Sequence, residues 1–200
     1  MHPAQVFRET DHARLATLVR TTGLALIVGV AATRPLCAHA PVLLMDGRLR
    51  FHLSAANPLA KALEDGAHAL AVVTGGQAYV SPDWYGLEDQ VPTWNYLSAE
   101  IAGPVSRLGM AETTTLLDDL SAEFEARLTP KPPWTRSKMS PGRFEAMLAG
   151  IVGFEMRIER LEGVRKLSQN KSLEAQAGVA EAFDHLGLHD LAGLMRMGEA

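Results

Sequence analysis

Val42-Leu43-Leu44-Met45-Asp46-Gly47-Arg48-Leu49-Arg50-Phe51-His52-Leu53-Ser54 reads as two alternating runs joined by Asp-Gly. Asp-Gly between such runs is a strong short-range hairpin signal, because a two-residue type I′ turn needs positive φ at both positions. With Met45 facing Arg48, Val42 falls opposite Phe51, Pro41 opposite His52 and His39 opposite Ser54. Side chains alternate across a strand, so Val42, Leu44, Leu49, Phe51 and Leu53 share an apolar face, as in a barrel interior. His39, His52 and Ser54 share the opposite, polar face.

Outward from the hairpin, Ala25 to Val30 and Ala69 to Thr74 are further β-rich runs separated by Gly and Pro punctuation. The half from Leu24 to about Leu108 therefore reads as an antiparallel sheet or barrel. Leu15, Leu18 and Val19 place a helix over 11–20, with Thr10 as its cap and Gly23 as its stop. Leu116, Leu117, Leu120, Phe124 and Leu128 predict a second helix over 111–128, ended by Thr129-Pro130 and the prolines that follow. Ser140-Pro141 predicts a short helix through Met147. A long alternating strand over 152–167 and one or two helices from about 172 to 200 complete one domain spanning 1–200, mainly β with peripheral helices.

The composition excludes several classes. The 200 residues carry 19 Lys+Arg against 23 Asp+Glu, a net charge of −4, which gives nucleic acid no electrostatic footing. At 47% apolar and 21% charged the chain is a globular composition. The apolar run Gly23 to Ala32 is too short to span a bilayer, and the first residues lack the order of a signal peptide, so no membrane association and a cytoplasmic location are expected. One cysteine, Cys37, is expected as a small core residue and removes cysteine-based metal sites.

Four segments carry candidate chemistry. His39, His52 and Ser54 suit a metal, a ligand surface or an ordinary outer sheet face, and no third metal ligand is visible from spacing. Asn57-Pro58, with Lys61 one turn on, is a capped helix start that suits a phosphate or closes a barrel end. Tyr79, Trp84, Tyr85, Trp94 and Tyr96 crowd beside Ser81, Asn95 and several prolines, which suits a planar heteroaromatic ligand or a subunit interface. Lys166, Ser168 and Gln169 end the predicted long strand with a cation, a hydroxyl and an amide.

Taken in order, these segments resemble the PaiB family of FMN-binding negative transcriptional regulators. The resemblance rests on Pro3 and Phe7, Ala38-His39-Ala40-Pro41, and His52 with Ala56-Asn57-Pro58. It continues through Ala78-Tyr79-Val80-Ser81-Pro82-Asp83-Trp84-Tyr85, Val91-Pro92-Thr93-Trp94-Asn95-Tyr96, Met147 to Gly153, Leu161-Glu162-Gly163 and Lys166-Leu167-Ser168-Gln169-Asn170. It implies an antiparallel split β-barrel, related in fold to pyridoxine phosphate oxidases, and a homodimer holding FMN in grooves outside each apolar core. The residues carried toward FMN are His39, His52, Ser54, Asn57, Lys61, Ser81, Trp84, Trp94, Asn95, Lys166, Ser168 and Gln169. The phosphate is expected near Ser54 and Lys61, and the ring near Trp94, Asn95 and Lys166 to Gln169. The chain departs from the family pattern at Ala55, Glu100 and Val164-Arg165. A flavin-dependent oxidoreductase or reductase, a regulator acting through a partner or a sensed small molecule, and a haem protein using His39 or His52 are the competing functions.

Overall fold

Asp46 at φ 48° and Gly47 at φ 73° form the turn that the Asp-Gly pair demands. It joins β3 (Arg34–Met45) to β4 (Arg48–Ser54) in the expected register: Val42↔Phe51, Leu43↔Arg50, Leu44↔Leu49 and Met45↔Arg48. The computed structural model describes residues 3–197, so both ends of the expected 1–200 domain lie outside the described residues. Within them the chain clusters into two compact units, residues 19–73 with 100–161, and residues 3–18 with 74–99 and 162–197. The eight strands are β1 (Arg8–Glu9), β2 (Leu24–Ala31), β3, β4, β5 (His68–Val80), β6 (Thr93–Arg107), β7 (Ile151–Arg157) and β8 (Arg160–Lys166). Their order is β1-β8-β6-β5-β2-β3-β4-β7.

The first unit is a closed barrel. β3 pairs with β2, β2 with β5, and β4 with β7, while Val105↔Met156 and its neighbours join β6 to β7 and close the ring. Closure leaves no unpaired edge in the ring. The alternation puts Ile27, Val42, Leu49, Phe51, Ile101, Phe154 and Met156 inside, all buried. Phe51 and Phe154 stack there with centroids 5.3 Å apart and planes 18° from parallel. Outside the ring, α3 (Met110–Glu125) starts with the Glu112 carboxylate accepting from the Gly109 amide at 2.9 Å. Gly153 lets this helix approach, since a Cβ there would lie 2.5 Å from Thr113 Oγ1. A short helix, α2 (Pro58–Ala62), follows β4, and α4 (Arg143–Leu148) begins after Gly142, two residues later than Ser140-Pro141 predicts.

Three expectations are corrected here. The strand read over 152–167 is two strands, broken at Ile158 and Glu159, whose amides bond Gly47 and Ala102 carbonyls at 3.2 and 3.0 Å. Alternation carries no record of a change of strand partner, and β7 pairs with β4 and β6 while β8 pairs with β1. Cys37 is exposed rather than in the core. It lies in the half of β3 whose described partner is β2 alone, beyond the end of the β4 ladder, where both faces meet solvent. Finally, α1 (His12–Thr22) is capped by Asp11, whose carboxylate accepts from the Ala13 and Arg14 amides, and not by Thr10.

The second unit has its own core. β1 pairs with β8 as Arg8↔Val164 and Glu9↔Gly163. α5 (Leu173–His185), capped by Ser172, and α6 (His189–Arg196) supply Val179, Ala180, Phe183, Leu191 and Met195 to a buried cluster with Val80, Tyr85 and Leu167. Gly178 is the contact point, where a Cβ would lie 2.4 Å from the Trp84 carbonyl oxygen.

Candidate functional site

The barrel unit holds the first five expected site residues, and His39 and His52 meet different surroundings there. The described β3–β4 ladder ends at Val42↔Phe51, and His39 pairs with Leu26 of β2 and is exposed. Pro41 is the physical reason, because it has no N–H to continue the ladder. His52 instead faces Gly153 of β7 in register and lines a cavity covered by α3 and α4. Its Nδ1 is buried with no hydrogen-bond partner, and burial pushes its pKa below the ordinary histidine value. Ser54 is exposed and its Oγ accepts from the Ala56 amide at 3.3 Å. Asn57 caps α2 by accepting from the Leu59 amide at 2.9 Å, and Lys61 is exposed. A helix of five residues has little dipole to offer, and its cap already uses one of its leading amides.

A pH prediction follows from His52. Its folded pKa is lowered, so below about 6.5 the unfolded chain binds the extra proton and the folded chain resists it. Stability then falls as pH drops from about 6.5 toward the lowered folded value. Melting curves at pH 8 and pH 5.5 should show a larger drop in the wild type than in His52→Phe. Equal drops would show that His52 does not carry the effect.

The second unit holds the other seven. Ser81 Oγ accepts from the Asp83 amide at 3.4 Å and caps the turn Pro82–Tyr85, and Trp84 sets its ring edge-on to Phe183 at 6.0 Å. Asn95 is 0% exposed and Ser168 3%, so neither is open to a ligand. Ser168 Oγ donates to Asn95 Oδ1 at 3.1 Å and shares a 3.1 Å hydrogen bond with the Tyr85 hydroxyl, while Asn95 Nδ2 reaches Met195 Sδ at 3.6 Å. Ser168 holds φ 62°, a left-handed conformation that this buried network supports. Gln169 accepts from the Leu167 amide at 2.7 Å and donates to the Val6 and Arg165 carbonyls. The strand-end motif is thus mostly a device that shapes its own turn.

Lys166 and Trp94 remain open. Lys166 Nζ donates to Thr93 Oγ1 at 2.5 Å and lies 5.5 Å from the Phe7 ring centroid, and burial pulls its pKa below the usual lysine range. No carboxylate bonds it among the described residues. Trp94 is 53% exposed and meets Tyr79, 46% exposed, edge-on at 6.2 Å. Tyr79 and Thr93 stand in the quoted motifs but not among the residues carried toward FMN, because alternation does not say which side of an aromatic-rich strand faces solvent. A partly desolvated ammonium suits the carbonyl edge of a flavin ring, and an exposed indole suits its flat face. The departures from the family pattern are absorbed locally: Glu100 pairs with Arg160 at 3.6 Å, and Arg165 donates to the Leu194 carbonyl at 3.0 Å. Among the described residues no group of three His, Cys, Asp or Glu could hold a metal ion, and no helix is long and apolar enough to cross a membrane.

Comparisons with known proteins agree with this fold. Among solved structures, the FAD and heme binding protein from Mycobacterium smegmatis superposes with a TM-score of 0.60 over 84% of this chain and 78% of its own, at 20% identity. The flavocytochrome Anf3 from Azotobacter vinelandii does so at 0.58 over 83% and 72%, at 16% identity. At these identities the likeness is one of fold. The "Protease synthase and sporulation protein PAI 2" of Bacillus subtilis is 28% identical over 92% of this chain and 90% of its own. An uncharacterized Emericella nidulans protein is 31% identical over 72% and 69%. A family model described as "Putative FMN-binding domain" matches residues 1–160, which takes in the whole barrel and the Trp94 strand, so the chain belongs to the PaiB family of FMN-binding split-barrel proteins, with FMN as its cofactor.

Proposed function

We propose that the chain works as a homodimer and that its flavin ring lies against Tyr79, Trp94 and Lys166. The carrying observation is Lys166, a partly desolvated amine bonded to the Thr93 hydroxyl and to no carboxylate among the described residues, with the half-exposed Trp94 following Thr93 in β6. Flavin carbonyls are acceptors that such an ammonium satisfies, and the indole offers stacking area. When bound, FMN supplies electron transfer, and the protein contributes orientation and electrostatics. Thr93 holds the Lys166 amine in place, and the Asn95–Ser168–Tyr85 network fixes the strand end that carries it. Ser54, Asn57 and Lys61 are a separate proposal, as phosphate contacts on the barrel unit. Exposed Val91, Trp94 and Tyr79 form apolar surface that a second copy would cover. A regulatory role is the second reading, favoured by the sporulation-related name of the Bacillus subtilis relative. It would act through a partner or a sensed small molecule, since the net charge is −4.

Titration of FMN and riboflavin by fluorescence quenching tests the ring and phosphate assignments separately. A hydrogen bond from a charged group contributes about 1.5–3 kcal/mol, so Lys166→Met should weaken both flavins about tenfold or more. Trp94→Ala should also weaken both, whereas Lys61→Ala should weaken FMN and spare riboflavin, which lacks the phosphate. Unchanged affinity for both flavins in Lys166→Met and Trp94→Ala would refute the ring assignment. Sedimentation at micromolar concentration reads the homodimer, and a clean monomer refutes it.

A further inference from the structure

The barrel unit contains a cavity of about 400 Å³ that the flavin reading does not use. Its wall is apolar and aromatic, with Leu117, Phe124, Trp134, Phe144 and Ile151 around His52. This volume lies in the range of small-molecule pockets. Apart from the Trp134 indole N–H, four other polar residues line it, and each already has a protein partner. Arg136 pairs with Asp118 at 3.3 Å, the Glu125 carboxylate takes Lys131 and the Trp134 amide, and Ser121 Oγ donates to the Leu117 carbonyl at 2.7 Å. His52 alone among these lining polar groups lacks a partner among the described residues.

The chemistry of an occupant follows from that inventory. With each lining charge paired, nothing compensates a charge on the ligand, and an uncompensated charge in an apolar pocket is costly. The occupant is therefore neutral. Burial keeps His52 itself neutral. Its Nδ1 is sealed without an acceptor, and a buried N–H left unpaired is a costly arrangement, so the ring proton belongs on Nε2. The Nε2 edge is then the polar part of the ring left to meet a ligand, and it offers one donor. Flat rings on several walls select a flat partner.

We propose that this cavity binds a neutral, planar aromatic molecule carrying an acceptor oxygen, which His52 recognises through Nε2–H. His52 is the one lining residue that the family resemblance carries toward FMN, and none of Tyr79, Trp94 and Lys166, which are proposed above to hold the flavin ring, lines the cavity, so the two sites are proposed as independent.

Calorimetric titration with coumarin, naphthalene and 2-naphthoate is the test. These probes are similar in size, and they are respectively neutral with a carbonyl, neutral without an acceptor, and anionic. Coumarin should bind the wild type about five- to tenfold tighter than naphthalene and at least tenfold tighter than 2-naphthoate. His52→Leu should erase the preference for coumarin while keeping naphthalene affinity, and His52→Gln, which retains a donor, should restore part of it. Leu117→Trp, which fills the cavity, should exclude both neutral probes and leave FMN affinity unchanged. The proposal is overturned if coumarin fails to bind near its solubility limit, or if its preference survives in a folded His52→Leu protein. A tighter fit of 2-naphthoate would overturn the neutral class, and displacement of coumarin by FMN would overturn the independence of the site.

Discussion

Phe51→Ala is expected to lower unfolding stability by about 3–5 kcal/mol, the usual cost of deleting a fully buried aromatic ring from a packed core. Phe51 is 0% exposed, stands opposite Val42 on one side and Phe154 on the other in the two ladders, and stacks on the Phe154 ring. A closed barrel collapses poorly into such a void, because its strands are held at fixed spacing by hydrogen bonds on both sides. Urea unfolding followed by circular dichroism should show the midpoint falling at constant slope, which would mean lost stability without a change in the surface exposed. Val30→Ala, at a side chain 62% exposed, is the control and should change stability by less than about 0.5 kcal/mol. A loss below about 1 kcal/mol in Phe51→Ala would contradict the stacked interior.

The second large effect is expected at Asn95. Asn95→Leu keeps nearly the same volume but removes the oxygen that accepts from Ser168 at 3.1 Å, inside a site with no access to water. The Ser168 hydroxyl then keeps only Tyr85, and the left-handed turn at φ 62° loses one of its supports. A cost of about 2–3 kcal/mol follows from leaving a buried polar group short of its partner. Ser168→Ala removes the same hydrogen bond from the other side, so the double variant should cost less than the sum of the singles by about 1 kcal/mol. Additive costs would mean that the two side chains do not act as a pair. Both variants should also weaken flavin binding, since the strand end bearing Lys166 is what the network shapes.

The residues differ in how plainly the chain announces them. Asp46-Gly47 is local chemistry: two positive φ angles at adjacent residues leave few alternatives, so the turn, the register and the apolar set of Val42, Leu44, Leu49 and Phe51 all follow from it. Lys166, Ser168 and Gln169 look alike in a motif, yet the fold buries Ser168, ties Gln169 to three backbone groups and leaves Lys166 open. Spacing could not separate them, because each fate depends on Asn95, Val6 and Thr93, which are far away in the chain.

From sequence alone came the antiparallel barrel, the hairpin register, the helices around it and membership of an FMN-binding family, because these rest on periodicity, turn stereochemistry and motifs within short windows. Tertiary structure alone decided that β7 and β8 are separate strands, that Cys37 and His39 are exposed, and that His52 lines an apolar cavity with residues of α3 and α4. The physical reason is that a pattern records which side of a strand is apolar, whereas burial and pairing are set by whatever other segment arrives to cover it. Here Pro41 ends one ladder for want of an N–H, and Gly153 admits a helix where any Cβ would have met Thr113.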